Sequence, residues 1–211
     1  MPITIEQARA LYQGADSIHD FDHVLRVVAL ADRLAEEEGA NREIVRTAAL
    51  LHDMARAEEH SSNRLETEPE NDHARLGAQR AREILAGEAA DFVEAVAHAI
   101  EAHRYRNAIA PRTIEAKVLF DADKLDSIGA VGVARAFAFG GVVHQPLWGE
   151  VSAGYIPGGD EVHTPHHEFH VKLRHIKDQL YTATGRRIGE ARHRVMAAFY
   201  EQMAAEVRGE R

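Results

Sequence analysis

Leu50-Leu51-His52-Asp53 closes an apolar segment that opens near Asn41, and the reading of that tetrapeptide decides the rest of the chain. Ala48, Ala49, Leu50 and Leu51 lead into the pair, which places His52 and Asp53 at or near a core. An ionised carboxylate in a core is costly unless it is paired or bound to a cation. An adjacent imidazole offers a second ligand for the same cation. Taken alone, the pair is explained at least as well by a capped helix end carrying a hydrogen-bonded histidine. The surrounding sequence has to decide between the two.

Upstream, the spacing predicts a short helix over residues 4–13 with Thr4 as N-cap. A longer one is capped by Asp16 or Ser17 and stopped by Gly39. Its inward stripe reads His23, Val27, Leu30 and Leu34, so a histidine shares the core face. Residues 57–71 are polar and read as a loop. Downstream, a helix starting at Asn71 or Asp72 carries His73, Gly77, Ala81 and Ile84 on one face. The next, over about residues 90–103, carries Phe92, Val96, Ala99, Ile100 and His103, with His98 on the polar side beside Glu94 and Glu101. Pro111 opens a helix that meets no breaker before Gly129. Asp123 follows Ala116 and Leu119 on one of its faces, while Asp121, at helical spacing from Lys117 and Lys124, is assigned to a surface ion-pair ladder. Helical periodicity ceases over residues 140–165, which contain Trp148 and Tyr155. A loop of that length inside a domain is functional or disordered. Two closing helices are expected, split near Gly185. No strand is predicted. The expected fold is all-α, a helical bundle over residues 1–140, with a long loop and C-terminal helical extension over residues 141–211 packed on it.

Composition sets limits on function. The 211 residues carry a formal charge of -9, which argues against non-specific binding to a nucleic acid polymer or an anionic membrane. There are no cysteines, so thiolate metal sites and disulfides are excluded. No apolar run approaches the length of a membrane span, and residues 1–15 lack a basic region followed by an apolar stretch. A cytoplasmic protein is the resulting expectation. The 14 histidines are an excess. Of these, His163, His166, His167 and His170 surround an aperiodic loop and read as exposed.

The inward-facing ionisable residues form a set: His23, His52, Asp53, His73, His103 and Asp123. They come from five predicted helices, each on a stripe otherwise filled by Val, Leu, Ile or Ala. Satisfying six such groups separately is difficult, and one or two shared cations satisfy them together. Bundle cores build metal sites in this way. Imidazole and carboxylate ligands without sulfur suit Mn, Fe, Co, Ni or Mg better than a structural zinc, and the expected cofactor is a divalent ion from among Mn, Mg, Co, Ni, Fe and Zn.

The order His23 … His52-Asp53 … Asp123 resembles the H…HD…D signature of the HD-domain superfamily of metal-dependent phosphohydrolases. The flanking runs resemble it too: residues 23–27, 49–53 and 121–135, with further likeness at Lys172-Leu173 and Thr184-Gly185-Arg186 to a subgroup of small bacterial HD hydrolases. The resemblance implies a metal held by His23, His52, Asp53 and Asp123. It implies for His73 and His103 either a second metal or contact with substrate. The implied activity is hydrolysis of a small phosphorylated metabolite, a nucleotide being the leading case, by attack of metal-activated water. Asp53 would also orient that water, with Asp126 or Glu58 as general base. Arg26, Lys124, Lys172 and Arg186 are the candidate phosphate contacts. Two rival readings remain at this point, an HD-like di-iron oxygenase and a non-catalytic metal-containing nucleotide-binding module.

Overall fold

The computed structural model describes residues 2–12, 21–59, 72–104 and 109–210, with the side chains of Glu58 and Glu59 excepted. The expected cap at Asp16 or Ser17 lies outside these residues. Among the described residues the fold is helical without a strand, and no single helix is long and apolar enough to cross a membrane.

The chain forms two compact units. The first comprises residues 1–123 and 181–185 and the second residues 124–180 and 186–211. The first holds α1 (Ile5–Arg9), α2 (Phe21–Glu38), α3 (Arg42–Leu51), α4 (Arg56–Glu59), α5 (His73–Ile84), α6 (Ala90–Ala102) and most of α7 (Ile114–Asp126). Local chemistry sets several of these ends. Thr4 makes a reciprocal capping box with Gln7, Asn41 accepts from the amides of Glu43 and Ile44, and Asp72 accepts from those of Ala74 and Arg75. The amphipathic helices then bury one stripe each. Val24, Val27, Ala31 and Leu34 of α2 and Val45, Ala48, Ala49 and Leu51 of α3 are fully buried, as are Val96, Ala99 and Ile100 of α6. The α2–α3, α3–α6 and α5–α6 pairs pack against each other. Gly77 lets α5 come close, since a Cβ there would stand 3.3 Å from Ile100 and 3.4 Å from the His52 carbonyl.

The second unit contains α8 (Gly129–Val142), α9 (Pro165–Val171), a 3-10 helix (Leu173–Gln179) and most of α10 (Ala183–Val207). The helix break expected near Gly185 falls instead at residues 180–182, and Gly185 lies inside α10. The reason is steric. A Cβ at Gly185 would sit 2.3 Å from a carboxylate oxygen of Asp121, so glycine marks a close approach here and not a helix end.

Asp121 is a second correction. It is fully buried and belongs to no surface ladder. Its carboxylate accepts from the amides of Tyr181 and Thr182, at 2.8 and 2.7 Å, and from the Thr182 hydroxyl at 2.6 Å. These donors lie 60 and 61 residues along the chain, where the spacing of Lys117 and Lys124 carries no information about them.

Candidate metal centre

Asp53 sits in the turn that follows α3, with four imidazoles around it. His52 is the C-cap of α3, His73 the first residue of α5, His103 the C-cap of α6, and His23 lies one turn into α2. All four histidines are at most 2% exposed and Asp53 is 6% exposed. One carboxylate oxygen, Oδ2, lies 3.8 Å from His23 Nε2 and 3.7 Å from His52 Nε2. The other, Oδ1, lies 3.4 Å from His73 Nε2 and 3.5 Å from His103 Nε2. Asp123 adds Oδ1 at 3.5 Å from His23 Nε2. Two groups of converging ligand atoms result, His23–His52–Asp53 and Asp53–His73–His103, each with its atoms within 4.8 Å of one another.

Hydrogen bonding fixes what these rings present. His52 Nδ1 lies 2.8 Å from the Ala49 carbonyl and His103 Nδ1 faces the Ile100 carbonyl. A carbonyl only accepts, so both Nδ1 atoms carry a proton, and both rings turn Nε2 towards Asp53. Burial pushes the His52 imidazole down to about 4, against the opposing pull of Asp53, so the ring is neutral near pH 7. Burial also acts to raise the Asp53 carboxyl, but His52, Arg56, His103 and His73 hold it well below the usual carboxylate range. With His52 neutral, Arg56 is the permanent charge among them. Two buried atoms, His52 Nε2 and Asp53 Oδ1, have no hydrogen-bond partner. A neutral imidazole lone pair and an ionised carboxylate oxygen left without donors are what a divalent cation satisfies. The residues present therefore fit one.

The turn is braced from outside. The Tyr12 hydroxyl donates to the Leu50 carbonyl at 3.0 Å and accepts from the Asp53 amide at 3.3 Å. Burial, then the Asp53 charge, raises the Tyr12 phenol well above its ordinary value, so it stays a donor. Asp72 and Arg104, the neighbours of His73 and His103, form an ion pair at 3.0 Å.

The remaining candidates are placed as follows. His98 is half-buried and accepts from the Arg112 amide at 3.1 Å, away from the ring of imidazoles. Arg26 is half-buried on α2. Glu58 lies in α4, and its side chain is outside the described residues. Lys124, Asp126, Lys172 and Arg186 belong to the second unit. There Asp126 is buried and paired with Arg135 at 2.8 Å. Lys172 pairs with Glu168 at 2.8 Å, and Arg186 donates to the Leu180 carbonyl at 2.9 Å. Sequence reasoning missed two residues at the centre, Tyr12 and Arg56. Arg56 Nη1 stands 3.3 Å from His73 Nε2 and 4.0 Å from Asp53 Oδ1. Its one sequence signal is the three-residue step from Asp53.

The second histidine cluster is not exposed as expected. His167 is 1% exposed and His166 8%. The Trp148 ring stacks on His166 at 3.8 Å between centroids, and Tyr200 lies over the same imidazole and over Phe169. Aromatic packing buries these histidines where no apolar period announces it.

The HD domain family model matches residues 20–128. YpgQ of Bacillus subtilis is 35% identical over 97% of this chain and 94% of that protein. Ribonuclease Y of Chloroflexus aurantiacus is 37% identical over 56% of this chain, which spans only 20% of that enzyme. Among solved structures, B. subtilis YpgQ in complex with ADP matches with a TM-score of 0.73 at 31% identity, over 99% of this chain and 100% of that one. An HD-superfamily hydrolase from Bacillus thuringiensis matches with a TM-score of 0.69 at 31% identity, over 97% and 94% of the two chains. The family model spans more than half of the chain, the Asp53 turn included, and this chain belongs to the HD domain family.

Proposed function

We propose that the protein is a metal-dependent phosphohydrolase of a small phosphorylated metabolite, with a nucleotide as the favoured substrate. The observation that carries this reading is the pair of orphaned buried atoms, His52 Nε2 and Asp53 Oδ1, in a ring of imidazoles with their Nε2 atoms turned inward. The solved complex of YpgQ with ADP supports a nucleotide, and the B. thuringiensis relative supports hydrolysis.

In this reading His23, His52, Asp53 and Asp123 hold one divalent cation. A cation there supplies Lewis acidity towards a phosphoryl oxygen and lowers the pKa of a coordinated water. The chain's own groups do the rest. Asp53 orients the attacking water through its second oxygen. His73, His103 and Arg56 line the side where a phosphate would lie, and Arg56 gives it a planar, permanently charged partner. Arg26, one turn beyond His23, is a further phosphate contact, and Lys124, Lys172 and Arg186 remain candidates from the second unit. Asp126, which is paired with Arg135, and Glu58 stay the two candidates for the general base.

The test is to strip the protein of metal, reload it separately with Mn, Mg, Co, Ni, Fe or Zn, and offer each form a panel of nucleotides and simple phosphoesters. Metal-dependent release of phosphate or pyrophosphate is expected. Oxygen consumption without phosphate release would make it an oxygenase. Tight nucleotide binding with neither reaction would make it a sensor.

A further inference from the structure

The two ligand groups that share Asp53 are not equivalent. In the first, His23, His52 and Asp53 converge, and His52 Nε2 has no hydrogen-bond partner. In the second, a guanidinium is already present. Arg56 Nη1 is 3.3 Å from His73 Nε2, within hydrogen-bond distance, and 4.0 Å from Asp53 Oδ1. A guanidinium has only donors, so this contact engages the His73 Nε2 lone pair that a cation would need. It also sets a fixed positive charge where a second divalent ion would have to sit, a few ångströms from the first. Arg56 is carried by the first turn of α4, and its own amide donates to the Asp53 carbonyl at 3.0 Å, so backbone and side chain are both tied to the same aspartate.

We infer that Arg56 takes the place of a second metal ion. It keeps the centre mononuclear, and it leaves His73 and His103 facing substrate and not a cation. This rests on the reading of the first group as a metal site, but it does not depend on which reaction that site performs. It also makes Arg56 the determinant of metal count, a property that the two ligand groups alone would leave open.

The experiment counts metal directly. Wild-type protein and Arg56→Met are stripped, reloaded with excess Mn(II), desalted and assayed for metal by elemental analysis, and each is examined by electron paramagnetic resonance. Wild type is expected to hold one equivalent with the spectrum of an isolated Mn(II) ion. Arg56→Met is expected to hold two, with the spectrum of a coupled pair. The Arg56→Met, His73→Ala double variant should return to one. Arg56→Lys, which keeps the charge, should stay at one and serves if the methionine variant fails to fold. Two equivalents in wild type, or in Arg56→Lys, would overturn the inference. So would a folded Arg56→Met protein that holds only one. Absence of any metal in wild type would instead sink the metal-site reading itself, and inactivity of a fully loaded protein would touch only the phosphohydrolase reading.

Discussion

Two histidine clusters, one in each unit, differ in what their nitrogens are doing. Around Asp53 four Nε2 atoms face a shared carboxylate, and His52 Nε2 has no hydrogen-bond partner. In the cluster of the second unit every ring nitrogen of His163, His166, His167 and His170 has a partner. The Arg174 guanidinium donates to His170 Nδ1, which leaves the proton of that ring on Nε2. That proton goes to His166 Nε2, and the His166 Nδ1–H then donates to the Gly149 carbonyl. His167 bridges Thr164 and Glu161, and His163 bridges Tyr155 and Glu168. Guanidinium donation to His170 also disfavours a metal on the facing nitrogens, because a ligating imidazole donates its other N–H outward. A count of histidines cannot tell these clusters apart. Unspent lone pairs can.

The strongest way to break this contrast is Asp53→Ala. It should abolish metal retention, and with it the stabilisation by added metal, which is about 2.7 kcal/mol at a hundredfold excess over Kd. Metal content equal to wild type in a folded Asp53→Ala protein would refute the assignment. His166→Gln and His170→Ala, by contrast, should leave metal content unchanged.

Two aspartates on one helix, Asp121 and Asp123, allow a second comparison, the first fully buried against backbone donors and the second facing His23. Asp121→Asn puts an amide N–H against backbone donors and is expected to cost about 3 kcal/mol, read by urea denaturation, with metal content retained. Asp123→Asn should weaken metal retention while changing the stability of the metal-free protein far less. Acid provides a third comparison. His52 is held at about 4 in the folded chain against about 6.5 when unfolded. Between those values the unfolded state binds the extra proton, so metal-free protein loses stability as pH falls from 6.5 towards 4, on the order of 3 kcal/mol at the lower end. The depressed Asp53 carboxyl acts in the same direction below pH 4. Metal-free stability that stays flat from pH 7 to pH 4.5 would contradict the buried neutral imidazole.

In the second cluster, His170→Ala should destabilise by only about 1–2 kcal/mol, the usual cost of unmaking a partly buried hydrogen-bond chain. The smallest effect is expected at His98→Ala, about 0.5 kcal/mol, since its ring accepts from the Arg112 amide near the surface. His103→Ala should be far more damaging to activity than His98→Ala, and the reverse order would move the centre to the other face of α6.

Six ionisable residues could be read as one group because each lies on an apolar stripe. His23 with Val27, His73 with Gly77, His103 with Ile100 and Asp123 with Leu119 keep helical spacing, and the structure brings them around Asp53. Periodicity reports which face turns inward. It does not report which partner arrives from elsewhere. Asp121 was misjudged because its donors come from residues 181 and 182. Tyr12 was missed because its hydroxyl acts on residues 38 and 41 positions away. Arg56 stood at the edge of a polar stretch with no apolar stripe to point it inward. His166 is buried under Trp148 and Tyr200 and His167 packs against Tyr155, and contacts between rings have no period of 3.6.

The bond between Asp121 and residues 181–182 also bears on the order in which the protein is made. Residues 181–185 belong to the unit that carries the metal centre, although the intervening residues 124–180 do not. At roughly 5–20 residues per second, a ribosome takes several seconds to travel from Asp123 to Gly185. During that interval every candidate ligand has been synthesised, yet Asp121, two residues from Asp123, still lacks its three donors. A nascent chain released at residue 140 would contain the whole ligand set but not the three donors that Tyr181 and Thr182 bring to Asp121.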